Sequence, residues 1–123
     1  MSAQIKVQKQ GHTAVLTMSN PPANTWTEQT LISLTDIINE LNGDKNIFAL
    51  VITGEGEKFF SAGADLNVFA SGDKGVAAQM SQVFGTAFEA LSNFRGVSIA
   101  AINGFAMGGG LEVALHLGYY SQH

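Results

Sequence analysis

The sequence contains no cysteine, which excludes both a disulfide framework and a thiolate metal site. Its three histidines, His12, His116 and His123, stand apart and show no metal-ligand spacing. Long apolar runs are missing too, since the longest, Ile47–Ile52, has six residues whereas a membrane-spanning helix needs about 20. We therefore expect a soluble protein with no metal site.

Charged residues are scarce, at 13% of a 123-residue chain. Six Lys and Arg against ten Asp and Glu give a formal net charge of −4, and the basic residues do not cluster. Nucleic acid is therefore not an expected partner, because binding to a phosphate backbone needs a basic stripe. The first twenty residues show no apolar stretch or cleavage site of a secretory signal, so we predict a cytoplasmic protein.

Strand-like and helix-like segments alternate along the chain, and the order predicts one α/β domain with parallel crossovers. Short apolar or alternating runs predict the strands Ile5–Val7, Ala14–Met18, Phe48–Thr53 and Val97–Ile102. Apolar residues three and four apart predict helices over Leu31–Leu41 and Val76–Phe94, and composition predicts a third over Leu111–Leu115.

Local signals predict how the first helix begins and ends. A proline loop, Asn20–Asn24, precedes it, and Thr25 and Glu28 then have the spacing of a capping box. Asn42-Gly43 ends its apolar pattern. The unbroken run Phe48–Thr53 that follows is typical of a parallel strand covered on both faces.

Two of the predicted strands lead into segments of small residues, here called the first loop (residues 59–66) and the second loop (residues 104–112). Ligands of parallel sheets bind at the carboxyl ends of strands, where glycines allow close backbone approach. Two such loops side by side could direct two N–H groups at one oxygen, as in an oxyanion hole. The alternative is that the glycines serve only tight turns and close packing. Neither a P-loop, a dinucleotide fingerprint nor a nucleophile elbow is present.

Two carboxylates in these loops are candidate functional groups. Glu112 follows the glycines in the first turn of the predicted last helix. It could act in acid–base chemistry beside the oxyanion hole, or it could simply interact with the helix dipole. Asp65 could order the first loop or cap a helix beginning near Leu66. We favour the chemical role for Glu112 and the structural role for Asp65.

The segments Phe60–Leu66 and Ala101–Glu112 together resemble the paired signature of the enoyl-CoA hydratase/isomerase (crotonase) superfamily. The resemblance covers residues 3 to about 115 and includes the proline loop, which resembles the family's segment near coenzyme A. It implies an α/β fold of the crotonase-like (ClpP/crotonase) kind, built of layered ββα repeats. The implied activity is hydration of the 2,3-double bond of an enoyl-CoA thioester in acyl-CoA metabolism.

The resemblance also implies residue roles. The N–H groups of Ala64 and Gly109 would hold the thioester enolate, and Glu112 matches the first of two family glutamates that position and activate water. The backbone around Ala62 and Ala64 would contact the adenine, while Asp65 and Leu66 would line the acyl-CoA tunnel. No separate cofactor is implied, because coenzyme A is part of the substrate.

The sequence departs from the family pattern at its carboxyl end. Family members are longer, and their second glutamate would lie beyond the last residue of this chain. Residues 116–123 do not match the family, so we predict a non-family tail after the N-terminal part of a crotonase-like domain, from truncation or a frameshift. The full-length parent is expected to be a homotrimer or hexamer. An isomerase, another acyl-CoA enzyme of the superfamily and an inactive acyl-CoA-binding fragment stay open as alternatives.

Overall fold

The structure, a computed structural model, describes residues 5–63, 72–106 and 119–122. The elements in chain order are β1 (Ile5–Gln10), β2 (Thr13–Met18), α1 (Glu28–Asn42), β3 (Ala49–Gly54), β4 (Phe59–Ser61), α2 (Lys74–Ser92), β5 (Val97–Ile102), β6 (Phe105–Ala106) and β7 (Tyr119–Gln122). Within those ranges, neither helix combines the length and the hydropathy that a bilayer crossing requires. The order of two strands and a helix occurs twice, which confirms the predicted layered ββα repeats.

Five of the strands form one sheet in the order β1-β2-β3-β5-β7. β1 and β2 are an antiparallel hairpin, and its tight turn places Gly11 at φ 61°, where glycine has no steric penalty. β2, β3, β5 and β7 are parallel, as predicted for β2, β3 and β5. β4 and β6 form a second, two-stranded parallel sheet.

One face of the main sheet packs against both helices in a single core. The sheet contributes Leu16, Leu50, Ile52 and Ala100, each at most 1% exposed. The prediction that the third strand is covered on both faces is wrong for this chain, because β3 alternates between buried and half-buried residues. In the part of the chain that the structure describes, both helices pack on the face that carries Leu50 and Ile52.

The N-cap of the first helix lies later than the predicted Thr25. Thr27 is its N-cap: the Thr27 hydroxyl accepts from the Thr30 N–H at 3.1 Å, and the Thr30 hydroxyl accepts from the Thr27 N–H at 2.8 Å. The capping box predicted at Thr25 and Glu28 is therefore wrong. Trp26, which would be the first helical residue in that arrangement, instead forms an extended β-bridge, and its backbone N–H donates to Gly63 O of the first loop. The predicted end is confirmed, with the Gly43 N–H donating to the carbonyl groups of Asn39 and Glu40.

The second helix follows its predicted pattern. Its buried residues are Met80, Val83, Ala87, Ala90 and Leu91. The Asp73 side chain caps its start by accepting from the Gly75 N–H at 2.8 Å. The helix predicted over Leu111–Leu115 lies outside the described residues.

Candidate active site

The carboxyl ends of β3 and β5 lie side by side and are tied together by side chains. The Thr53 hydroxyl donates to Ala101 O at 2.8 Å, and the Gly54 N–H donates to Asn103 Oδ1 at 3.0 Å. Both strands run in the same direction, so the two loops leave the sheet at the same edge. This is the edge at which parallel sheets bind their ligands.

The two loops also pair directly with each other. Phe59 of β4 is in register with Phe105 of β6, and the Phe105 N–H donates to Lys58 O at 2.9 Å. A Cβ at Gly104 would lie 2.4 Å from Lys58 O, so a side chain at this position would force the loops apart. The predicted side-by-side placement of the two loops is therefore present in their described parts.

The proline loop holds the first loop through backbone and hydroxyl hydrogen bonds. The Ala62 N–H donates to Ala23 O at 3.0 Å. The buried Ser61 hydroxyl donates to Asn24 O at 2.7 Å and accepts from the Gly63 N–H at 3.1 Å. The amides of Ala62 and Gly63 are thus already occupied, and the next amide along the chain belongs to Ala64.

The backbone hydrogen bond of Ala62 limits the groups with which Ala62 could bind a ligand. Because its N–H already donates to Ala23, the predicted contact between Ala62 and adenine would have to use the Ala62 carbonyl oxygen, which suits an amino group. Ala64, Asp65, Leu66, Gly109 and Glu112 lie outside the described residues, so their roles stay predictions.

Two asparagines that sequence reasoning missed connect these segments. Asn24 is 4% exposed and adopts φ 52°, a left-handed conformation that asparagine tolerates better than most residues. Its side-chain amide donates to Glu55 O at 3.1 Å and to Phe59 O at 2.9 Å. Asn103 donates to Gly56 O at 2.8 Å and to Phe59 O at 3.0 Å. The available signals were the asparagine that ends the proline loop, Asn24, and the asparagine directly before Gly104, Asn103.

Charged and aromatic side chains border this edge. Lys6 Nζ lies 2.7 Å from Glu55 Oε1, and the Ser19 hydroxyl donates to the other carboxylate oxygen. The hydrogen bond from Lys6, helped by that from Ser19, holds the pKa of Glu55 below its ordinary value. Lys58 Nζ lies 5.8 Å from the centre of the Phe59 ring, which in turn is 5.9 Å from the ring of Phe105.

The architecture of the chain is the crotonase fold, as comparison with solved structures shows. The structure of Pseudomonas aeruginosa DspI matches with a TM-score of 0.97 and 58% sequence identity, over 99% of this chain and 50% of that one. An enoyl-CoA hydratase from Bacillus anthracis matches with a TM-score of 0.93 and 30% identity, over 97% of this chain and 47% of that one.

Sequence comparison gives the family. The model of the family described as enoyl-CoA hydratase/isomerase matches residues 8–119, and the chain belongs to this family. The short-chain-enoyl-CoA hydratase of Clostridium acetobutylicum is 36% identical over 118 residues, which cover 89% of this chain and 42% of that protein. The chain thus spans about half the length of the relatives it matches.

The family match and the sheet both reach into residues 116–123. The family model ends at residue 119, and the backbone of β7 pairs in parallel with β5, with Ile99 opposite Tyr119 and Ile102 opposite Gln122. The separate prediction that residues 116–123 form a non-family tail stays a prediction.

Proposed function

We propose that this chain supplies the oxyanion hole and the first carboxylate of an enoyl-CoA hydratase. In this reaction the oxygen of water bonds to C3 of a 2-enoyl-CoA thioester and a proton adds to C2. Negative charge develops on the thioester oxygen in between, so N–H donors at that oxygen lower the barrier. The observation that carries the proposal is the pairing of β4 with β6, which brings the two loops together at the carboxyl edge of the sheet.

The proposed donors are the N–H groups of Ala64 and Gly109. The hydrogen bonds of the Ala62 and Gly63 amides support this choice, because they leave Ala64 as the next amide of the first loop. Donors held rigidly before the reaction pay no reorganisation cost, and one such donor typically contributes about 2.7–4 kcal/mol.

Glu112 is proposed to position and activate the attacking water, and a second carboxylate outside this sequence would complete the acid–base pair. The substrate would bind with its adenine at the backbone of Ala62 and Ala64 and its acyl chain past Asp65 and Leu66. Coenzyme A enters as part of the substrate, so no separate cofactor is proposed. The proposed setting is a cytoplasmic homotrimer or hexamer of the full-length protein.

Isomerisation is the second candidate, because the family description pairs hydratase with isomerase. An isomerase would use the same oxyanion hole to stabilise an enolate while a proton moves between carbons, and it would not need Glu112 to activate water. A fragment that binds acyl-CoA without turnover is the third, because the chain spans about half of its relatives.

Glu112→Gln in the full-length protein tests the proposal. Hydration of a short 2-enoyl-CoA, followed by loss of enoyl-thioester absorbance, should fall by about 10²–10⁴-fold while affinity changes little. Glu89→Gln, on an exposed position of α2, makes the same chemical change as a control and should leave the rate unaltered. Turnover at the control rate in Glu112→Gln would reject the role of Glu112. Conversion of a 3-enoyl-CoA without hydration would favour the isomerase.

A further inference from the structure

The carbonyl oxygen of Phe59 accepts hydrogen bonds from two asparagine side chains that reach it from different parts of the chain. Asn24 Nδ2 lies 2.9 Å from this oxygen and Asn103 Nδ2 lies 3.0 Å from it. A carbonyl oxygen has two lone pairs, so the two amides together saturate it. The arrangement of these two side chains about Phe59 O is here called the amide clamp.

Each asparagine is held at both ends of its amide group. Asn24 Oδ1 accepts from the Asn20 N–H at 3.0 Å, while its second N–H donates to Glu55 O. Asn103 Oδ1 accepts from the Gly54 N–H at 3.0 Å, while its second N–H donates to Gly56 O. Neither amide can rotate without breaking several hydrogen bonds, so the clamp has one orientation.

The clamp is connected to both loops by short paths. On one side, Asn24 O accepts from the Ser61 hydroxyl, and the Ser61 oxygen accepts from the Gly63 N–H. On the other side, Asn103 directly precedes Gly104, whose backbone lies so near the first loop that an added Cβ would be 2.4 Å from Lys58 O. A displacement of either asparagine therefore changes the spacing of the two loops.

We propose that Asn24 and Asn103 are positioning residues that set the distance between the two loops and so align the two proposed oxyanion donors. This inference rests on the proposed function. It assigns the asparagines no contact with substrate: they act through Phe59 O on the backbone of the loops. The clamp should therefore govern how strongly the thioester carbonyl is polarised rather than how tightly coenzyme A binds.

Asn103→Asp and Asn24→Asp are the test variants, because each keeps the accepting oxygen and replaces the donating NH₂ by an oxygen that repels Phe59 O. Asn46→Asp is the matched control, since Asn46 is exposed and lies outside the clamp. The first measurement is amide hydrogen exchange at Ala62 and Gly63 in the 123-residue chain without ligand. Asn103→Asp should speed exchange at these amides by about tenfold relative to the control, although Asn103 lies at the start of the second loop and not in the first.

The second measurement uses a chromophoric cinnamoyl-CoA thioester, whose absorbance shifts to the red when its carbonyl oxygen receives hydrogen bonds. The shift should shrink in both clamp variants, while the dissociation constant stays within about threefold of the control. A general loss of structure would instead weaken binding and the shift together.

The outcomes separate the two proposals. Unchanged exchange at Ala62 and Gly63 in Asn103→Asp overturns the clamp whether or not the chain binds the probe. A full red shift in the clamp variants overturns it as well. If the unaltered chain binds the probe without a red shift, the proposed oxyanion hole fails, while the exchange measurement still decides whether the clamp couples the loops.

Discussion

The backbone N–H of Trp26 donates a 2.7 Å hydrogen bond to the carbonyl oxygen of Gly63. This bond ties the residue before the α1 N-cap to the first loop, just ahead of Ala64. The Trp26 side chain is 1% exposed, and its indole nitrogen has no hydrogen-bond partner in the described part of the chain. The backbone of the chain's single tryptophan is thus bonded to the first loop, while its side chain is buried in the core.

Trp26→Phe should therefore cost much less stability than Trp26→Ala. Removing a large buried aromatic side chain costs about 3–5 kcal/mol, whereas phenylalanine keeps most of the apolar volume and removes only an unpaired N–H. The free energy of unfolding from urea titrations followed by circular dichroism measures both. Equal losses in the two variants would show that the indole N–H contributes to the native state.

Gly104→Ala should destabilise the chain by about 1–3 kcal/mol, because the added methyl group would overlap Lys58 O. Gly85→Ala is the matched control. A Cβ at Gly85 meets no atom within 4 Å, and alanine is favoured over glycine inside a helix by about 0.5–1 kcal/mol, so this variant should be stabilised. Thermal unfolding of both variants checks the contrast, and a neutral Gly104→Ala would mean that β4 and β6 separate easily.

Glu55 should give the chain a specific pH dependence of stability. Its pKa is lowered from the ordinary value of 4.5, chiefly by the Lys6 hydrogen bond, so the ionised carboxylate favours the folded state. The stabilisation from the ionised Glu55 carboxylate is complete well above pH 4.5, the ordinary pKa that Glu55 has in the unfolded chain. It is lost as the pH falls through the lower pKa that Glu55 has in the folded state.

The measurement is the urea midpoint of the unaltered chain and of Glu55→Gln across this pH range. At neutral pH the unaltered chain should have the higher urea midpoint, and this difference from Glu55→Gln should disappear on acidification. Added salt should reduce the difference at neutral pH, because Lys6 is largely exposed. Parallel pH curves for the two proteins would exclude a contribution from the Lys6–Glu55 pair.

The isolated 123-residue chain should self-associate and show no hydratase turnover. The sheet face opposite the helices is only half-buried, and the Phe105 side chain at the site edge is 59% exposed. Clustered exposed apolar surface drives association. Sedimentation velocity should show species larger than a monomer, and Phe105→Ser should reduce them. A stable, active monomer would contradict this expectation.

Local patterns in the sequence were sufficient for four strands of the main sheet and both described helices, but they did not predict the strands β4, β6 and β7. The three-and-four spacing of Leu31, Leu34, Ile38 and Leu41 predicted α1, and all four residues are buried. The apolar run before the first loop predicted β3, and the match to two separated motifs predicted the family. Each of these patterns lies within a short stretch of sequence, so no knowledge of distant contacts was needed.

The tertiary structure decided what depends on residues far apart in the chain. The N-cap of α1 is Thr27 rather than Thr25 because Trp26 forms an extended β-bridge with its N–H bonded to Gly63 O, a contact with a residue far away in the sequence. The prediction that β3 is buried on both faces was wrong, because the burial of a strand face depends on which elements pack against it. The amide clamp joins Asn24 and Asn103 through Phe59 O. Its hydrogen bonds span dozens of residues, and their geometry exists only once β3, β4 and β5 have assembled.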